Sequence, residues 1–150
     1  MREIKFNFIY GVDGETLSYF NKTFTFAQIE DGCHFEELNG HPVGVEILAK
    51  RQWTGLKDKT GKDIYEGDII RTDREIYRIE YIASFMTFCP FTQQHFDFYK
   101  NGSNHFKYCM DSGDDEDDEA RKRHFLFQFD PYEIKVIGNI HENPELLNDA

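Results

Sequence analysis

Ile4, Phe6, Phe8 and Tyr10 lie on one side of the chain and alternate with polar residues until Asn7-Phe8-Ile9-Tyr10 closes the run. That period of two predicts a half-buried strand. Gly11-Val12-Asp13-Gly14 follows as a turn with Asp-Gly at its tip, predicting a hairpin into residues 16–20. Thr23-Phe24-Thr25-Phe26 alternates again, placing Phe24 and Phe26 on one face. Asp31-Gly32 and Asn39-Gly40 are further turns, the second reinforced by His41-Pro42. Residues 43–51 support two readings: Val45, Leu48 and Ala49 suit a helix, whereas Val43, Val45 and Ile47 suit a strand.

The clearest strand is 75–83, where Tyr77, Ile79 and Tyr81 share one face and Ile76, Arg78, Glu80 and Ile82 the other. Residues 85–99 are dense in rings (Phe85, Phe88, Phe91, Phe96, Phe98, Tyr99) and interrupted by Pro90. Asn101-Gly102 predicts a turn between 96–99 and 105–110. Residues 124–129 alternate strictly, which predicts a strand with Phe125, Phe127 and Phe129 on one face; 134–140 is a last strand. Asn143-Pro144 opens a short helical or irregular tail at 145–148. The pattern contains no internal repeat and no linker.

The densest run of turn signals is Trp53-Thr54-Gly55-Leu56-Lys57-Asp58-Lys59-Thr60-Gly61-Lys62-Asp63-Ile64-Tyr65-Glu66-Gly67-Asp68-Ile69-Ile70. Asp58 is placed to bond its own backbone two residues on, and Gly61 to take the tight turn that follows. Glu66-Gly67-Asp68 is a second tight turn, with the Asp68 carboxylate placed to accept backbone N–H groups. Read from the residues alone, this is loop-and-hairpin architecture without chemistry.

The same run resembles the signature of the YopX family of small phage and prophage proteins. Met1-Arg2-Glu3-Ile4-Lys5-Phe6 and Val136-Ile137-Gly138-Asn139-Ile140-His141-Glu142-Asn143-Pro144-Glu145-Leu146-Leu147 match as well, in the right order. Trp53 stands where the family more often has Tyr or Phe, and His141 where it often has Tyr; residues 84–128 match nothing in it. The resemblance implies a mainly β protein, α+β at the margin, built as a partly open SH3-like β-barrel without an established activity. It implies one domain over 1–150: N-terminal strands in 1–50, signature and barrel core in 51–83 and 124–142, and an aromatic-rich insertion in 84–123. Any binding surface in the signature would draw on Trp53, Thr54, Gly55, Leu56, Asp58, Gly61, Ile64, Tyr65, Gly67 and Asp68.

Composition sharpens this picture. The 150 residues suffice for one ordinary core, and a 16% share of Phe, Tyr and Trp favours strands over helical bundles. No stretch approaches the ~20 apolar residues that cross a bilayer, and no signal-peptide pattern opens the chain, so a cytoplasmic protein without membrane contact is expected. Cys33, Cys89 and Cys109 are too few and scattered for a disulfide framework and read as reduced thiols.

Net charge is −11, and six carboxylates of the excess lie together in Asp114, Asp115, Glu116, Asp117, Asp118 and Glu119. Such acidity repels phosphates, which disfavours direct nucleic-acid binding. Followed by Ala120-Arg121-Lys122-Arg123, the run would form i,i+4 pairs as a surface helix. Its sharper reading is an acidic patch for a basic partner, in the manner of a DNA mimic. Cys89, His95, His105 and Cys109 have zinc-ligand chemistry but lack the close-spaced pairs of common zinc modules, so structural thiols and surface imidazoles are expected and no metal. No motif of nucleophilic, phosphate-binding or metallohydrolase chemistry occurs. The expectation is therefore a non-enzymatic interaction or assembly protein without cofactor, self-associating or engaging a host or phage protein. A DNA-mimic accessory factor is the first alternative and a metal-dependent enzyme the second.

Overall fold

A computed structural model describes residues 4–13, 18–39, 44–83, 86–100 and 125–148, leaving out the side chains of 98 and 99. The chain divides into two compact units, residues 1–55 with 63–66, and residues 56–62 with 67–150.

In the first unit, the N-terminal alternation becomes β1 (Lys5–Val12), which pairs antiparallel with β2 (Ser18–Thr25) from Lys5↔Thr25 to Val12↔Ser18. On its other side β1 pairs with β3 (Val45–Lys57), and β4 (Asp63–Tyr65) completes the order β2-β1-β3-β4. The even-numbered face of β1 makes the core. Phe8, Tyr10 and Phe24 are buried there, with Phe6, Phe20, Ile29, Cys33, Leu38, Val45 and Ile47 packed against them. Ile29 and Cys33 come from α1 (Phe26–Glu30) and α2 (Cys33–Glu36). The strand expected through Phe26 ends one residue earlier. Thr25 caps α1, its hydroxyl accepting from Gln28 N at 3.3 Å while Gln28 Oε1 accepts from Thr25 N at 2.9 Å. Phe26 thus opens a helix and stands half exposed rather than beside Phe24.

Residues 43–51 gave two readings because the strand carries a bulge. Ile9 pairs with Ala49 but Tyr10 with Ile47, so Leu48 is the extra residue. The slip puts Val45 and Ile47 on the core face and Ala49 and Arg51 on the other.

In the second unit, β5 (Asp68–Arg71), β6 (Ile76–Ile82), β7 (Thr87–Phe91) and β8 (Lys135–Asn139) form an antiparallel sheet in the order β7-β6-β5-β8. Ile69, Ile70, Ile79, Leu126 and Ile134 are fully buried. On the even-numbered face of β6, Ile82 packs with Cys89, Phe91, Phe96 and Phe125. Arg78 lies 3.6 Å over the Phe96 ring while its Nε donates to Glu80 at 2.7 Å. Residues 96–99 belong to a helix, α3 (Gln93–Lys100), entered through Thr92, whose Oγ1 accepts from His95 N.

The strand expected at 124–129 is a correction. Over the described residues 125–129 the chain forms a 3-10 turn (Leu126–Gln128), with Gln128 N bonded to Phe125 O and Phe129 N to Leu126 O. Leu126 and Phe129 point inward and Phe127 outward, so three-residue spacing beats the apparent alternation. The structure is mainly β, as expected, and among the described residues its strands form two four-stranded antiparallel sheets rather than a closed barrel. Each sheet keeps two edge strands, so neither closes on itself.

Candidate functional site

The signature begins in β3 and supplies β4 and the start of β5. Thr54 is buried, and its hydroxyl donates to the Ile64 carbonyl at 2.7 Å. Glu66 N donates to Gln52 O at 2.9 Å, which closes the hairpin around the fully buried Ile64.

Asp58 is the centre of the loop in the second unit. Its Oδ1 accepts from Thr60 N at 2.8 Å, Thr60 Oγ1 at 2.7 Å and Lys62 N at 3.0 Å. Its Oδ2 accepts from Val136 N at 2.9 Å, on a strand 78 residues away. Lys59 N adds a bond to Ile134 O at 2.9 Å. Gly61 takes φ +87°, a left-handed conformation suited to glycine. Burial would raise the Asp58 pKa, but the bonds from Val136, Thr60 and Lys62 to its charged form outweigh it and hold the carboxyl below the usual range.

The C-terminal matching segment is built in the same way. Gly67 N donates to Ile79 O at 2.7 Å, and Gly67 O accepts from Ile140 N at 2.9 Å. Asp68, buried, lies opposite Asn139 in the β5–β8 ladder. The Asn139 Oδ1 accepts from His141 N at 3.0 Å and Glu142 N at 2.8 Å, ending β8 in a side-chain-held turn. Gly138 leaves no room for a side chain, since a Cβ there would meet Asn143 Oδ1 at 2.6 Å and Leu146 Cδ1 at 2.9 Å.

A second constellation, unmarked by any motif, lies on the odd-numbered face of β1. Arg51, buried, donates from Nε and Nη2 to Asn7 Oδ1 at 3.2 and 2.8 Å. The Asn7 amide donates in turn to Asn21 Oδ1 and Thr23 Oγ1. Thr23 Oγ1 lies 3.5 Å from the Tyr65 hydroxyl. Lys5 donates to Asp63 at 2.8 Å and sits 4.1 Å from the centre of the half-buried Trp53 ring. Burial pushes the Tyr65 phenol up from its ordinary value. The one sequence signal for this network was polar residues recurring at alternate positions of β1, which equally describes a solvated face.

The named residues thus separate. Thr54, Ile64 and Tyr65 lie within the first unit, and Asp58, Gly67 and Asp68 within the second, all buried. Gly55 and Leu56 are half-buried at the point where the chain passes between the units, and Gly61 is exposed on its loop. The acidic patch Asp114, Asp115, Glu116, Asp117, Asp118 and Glu119 lies outside the described residues, as do His105 and Cys109. Cys89 is buried in β7, and His95 meets the Phe91 ring edge-on at 4.6 Å. Among the described residues no three His, Cys, Asp or Glu side chains gather where they could hold a metal ion. No described helix is long and apolar enough to cross a membrane.

No curated protein matches the chain. The family model described as YopX protein matches residues 10–148, nearly the whole length, and the chain belongs to the YopX family.

Proposed function

We propose that this is a phage- or prophage-encoded protein that works without catalysis, through contact with other protein surfaces, as an interaction or assembly module. The observation that carries this reading is the placement of large apolar side chains. Phe26, Phe35, Phe127, Met86 and Tyr132 are 52%, 54%, 64%, 81% and 84% exposed. Exposed rings and Met of this size are enriched at protein contacts. The signature lends support from the other side, because both oxygens of Asp58 already accept from protein donors.

The test is capture on the immobilised full chain, paired with light scattering of the free chain. A stoichiometric partner retained by wild type and lost on Phe26→Ser with Phe35→Ser is the expected result. A chain that stays monomeric at tens of micromolar and retains nothing would overturn the reading.

A further inference from the structure

Among the described residues β2 pairs with β1 alone, on one side. Its outward backbone groups can be assigned from bonds that flank the ladders. Phe26 N donates to Ile4 O at 3.2 Å, extending the β1–β2 ladder, and Asp13 N donates to Gly44 O at 2.8 Å, extending β1–β3. Hydrogen-bonded pairs alternate along an antiparallel ladder. Even-numbered residues of β2 therefore bond β1, and odd-numbered ones point away. Thr25 agrees, since its N–H is taken by Gln28 Oε1. The outer row of this edge is thus the N–H and C=O groups of Tyr19, Asn21 and Thr23.

The other edges carry devices that discourage pairing. β4 has three residues, β7 contains Pro90, and β8 is bulged at Ile137. β2 has eight residues with neither proline nor bulge, and its one lysine, Lys22, is ion-paired with Glu37.

We propose that two copies of the chain join through β2, antiparallel about a two-fold axis at Asn21. This rests on the reading that the protein acts by contact, and it names the surface and the occupant. In that register Asn21 meets its own copy, and Tyr19 meets Thr23 of the partner subunit. Each outward residue then donates one bond and accepts one, as an isologous interface requires. Lys22 falls opposite Phe20 of the partner subunit, where its stem and charge can lie on a ring. Centring the axis on Lys22 instead would oppose two lysines and call on the Thr25 N–H, which Gln28 already occupies. Of these two registers, the edge favours the one centred on Asn21.

The test uses the full chain. Residue 21 is the one position of β2 placed opposite itself, with Cα atoms about 5.5 Å apart across such a pair and within disulfide reach. Residue 19 and its copy are four residues apart along the strands, about 13 Å. Under mild oxidation Asn21→Cys should form an intermolecular disulfide that wild type and Tyr19→Cys do not. Tyr19→Pro removes an outward N–H that β1 does not use. It should shift the light-scattering mass from twice the chain to one chain while the circular dichroism stays unchanged. A wild-type monomer at all concentrations would overturn the proposal, and if that monomer still captured another protein, the contact reading would survive without it. A dimer that persists in Tyr19→Pro with no Asn21→Cys cross-link would also overturn it, placing self-association elsewhere on the molecule.

Discussion

Asp58 shows how much one side chain organises, because it fixes its own loop and the first residues of β8 together. Its folded pKa lies below the ordinary 3.8. A depressed carboxyl contributes stability that is present above the unfolded pKa and lost as pH falls through the folded value. The stability gap between wild type and Asp58→Asn should therefore be constant above about pH 5 and narrow below about pH 4. Urea titrations at stepped pH measure it, and a gap unchanged into the acid range would remove the charge from the account. Tyr10 makes the opposite case in the first unit. Burial, with the negative Glu37 second, raises its phenol to about 12, while its hydroxyl donates to His34 O at 2.7 Å. A raised pKa gives stability that is full below the unfolded value and lost as pH rises through the folded one. Wild type should lose stability between pH 10 and about 12. Tyr10→Phe, weaker by about 1 kcal/mol at neutral pH, should lose less over that interval. Of these contacts, the Asp58–Thr60 turn was legible because Asx turns are local. The bonds from Val136 to Asp58, Tyr10 to His34 and Arg51 to Asn7 were not, since no local pattern encodes a partner tens of residues away.

At the scale of elements, period-two alternation located β1 and β6, though each buries residues on both faces: Ile9 opposite Phe8 and Tyr10 in β1, and Ile79 opposite Ile82 in β6. It failed where a single backbone event resets the pattern. Leu48 bulges in β3, Thr25 turns an edge strand into a helix, and i→i+3 bonds at 125–129 place Leu126 and Phe129 inward with Phe127 between them outside. The Thr25 case can be tested directly. Thr25→Ala removes the acceptor for Gln28 N and should cost about 1 kcal/mol, read as a lower urea midpoint with little change in the far-ultraviolet spectrum. An unchanged midpoint would mean that the cap does not set the boundary between β2 and α1.

At the scale of the whole molecule, strands and turns were readable but their pairing was not. The same run of elements is compatible with one curled sheet or with two, and the choice depends on which strands become edges. The chain leaves the first unit after Gly55, returns for residues 63–66 and leaves again at Gly67, so every passage falls inside the signature. Its glycines and carboxylates make those passages: Gly55, Gly61 and Gly67 all take positive φ, and Asp58 holds the loop between two of them. The central claim is that this signature is architecture, leaving function to the exposed surface. The most direct test is urea unfolding of Asp58→Asn against wild type at neutral pH. An amide offers one acceptor oxygen where the carboxylate offers two, and it turns an N–H2 toward a backbone donor. The variant should therefore lose about 2 kcal/mol, a midpoint lower by about 1 M. An unchanged midpoint would contradict the claim and point to a role for Asp58 in binding.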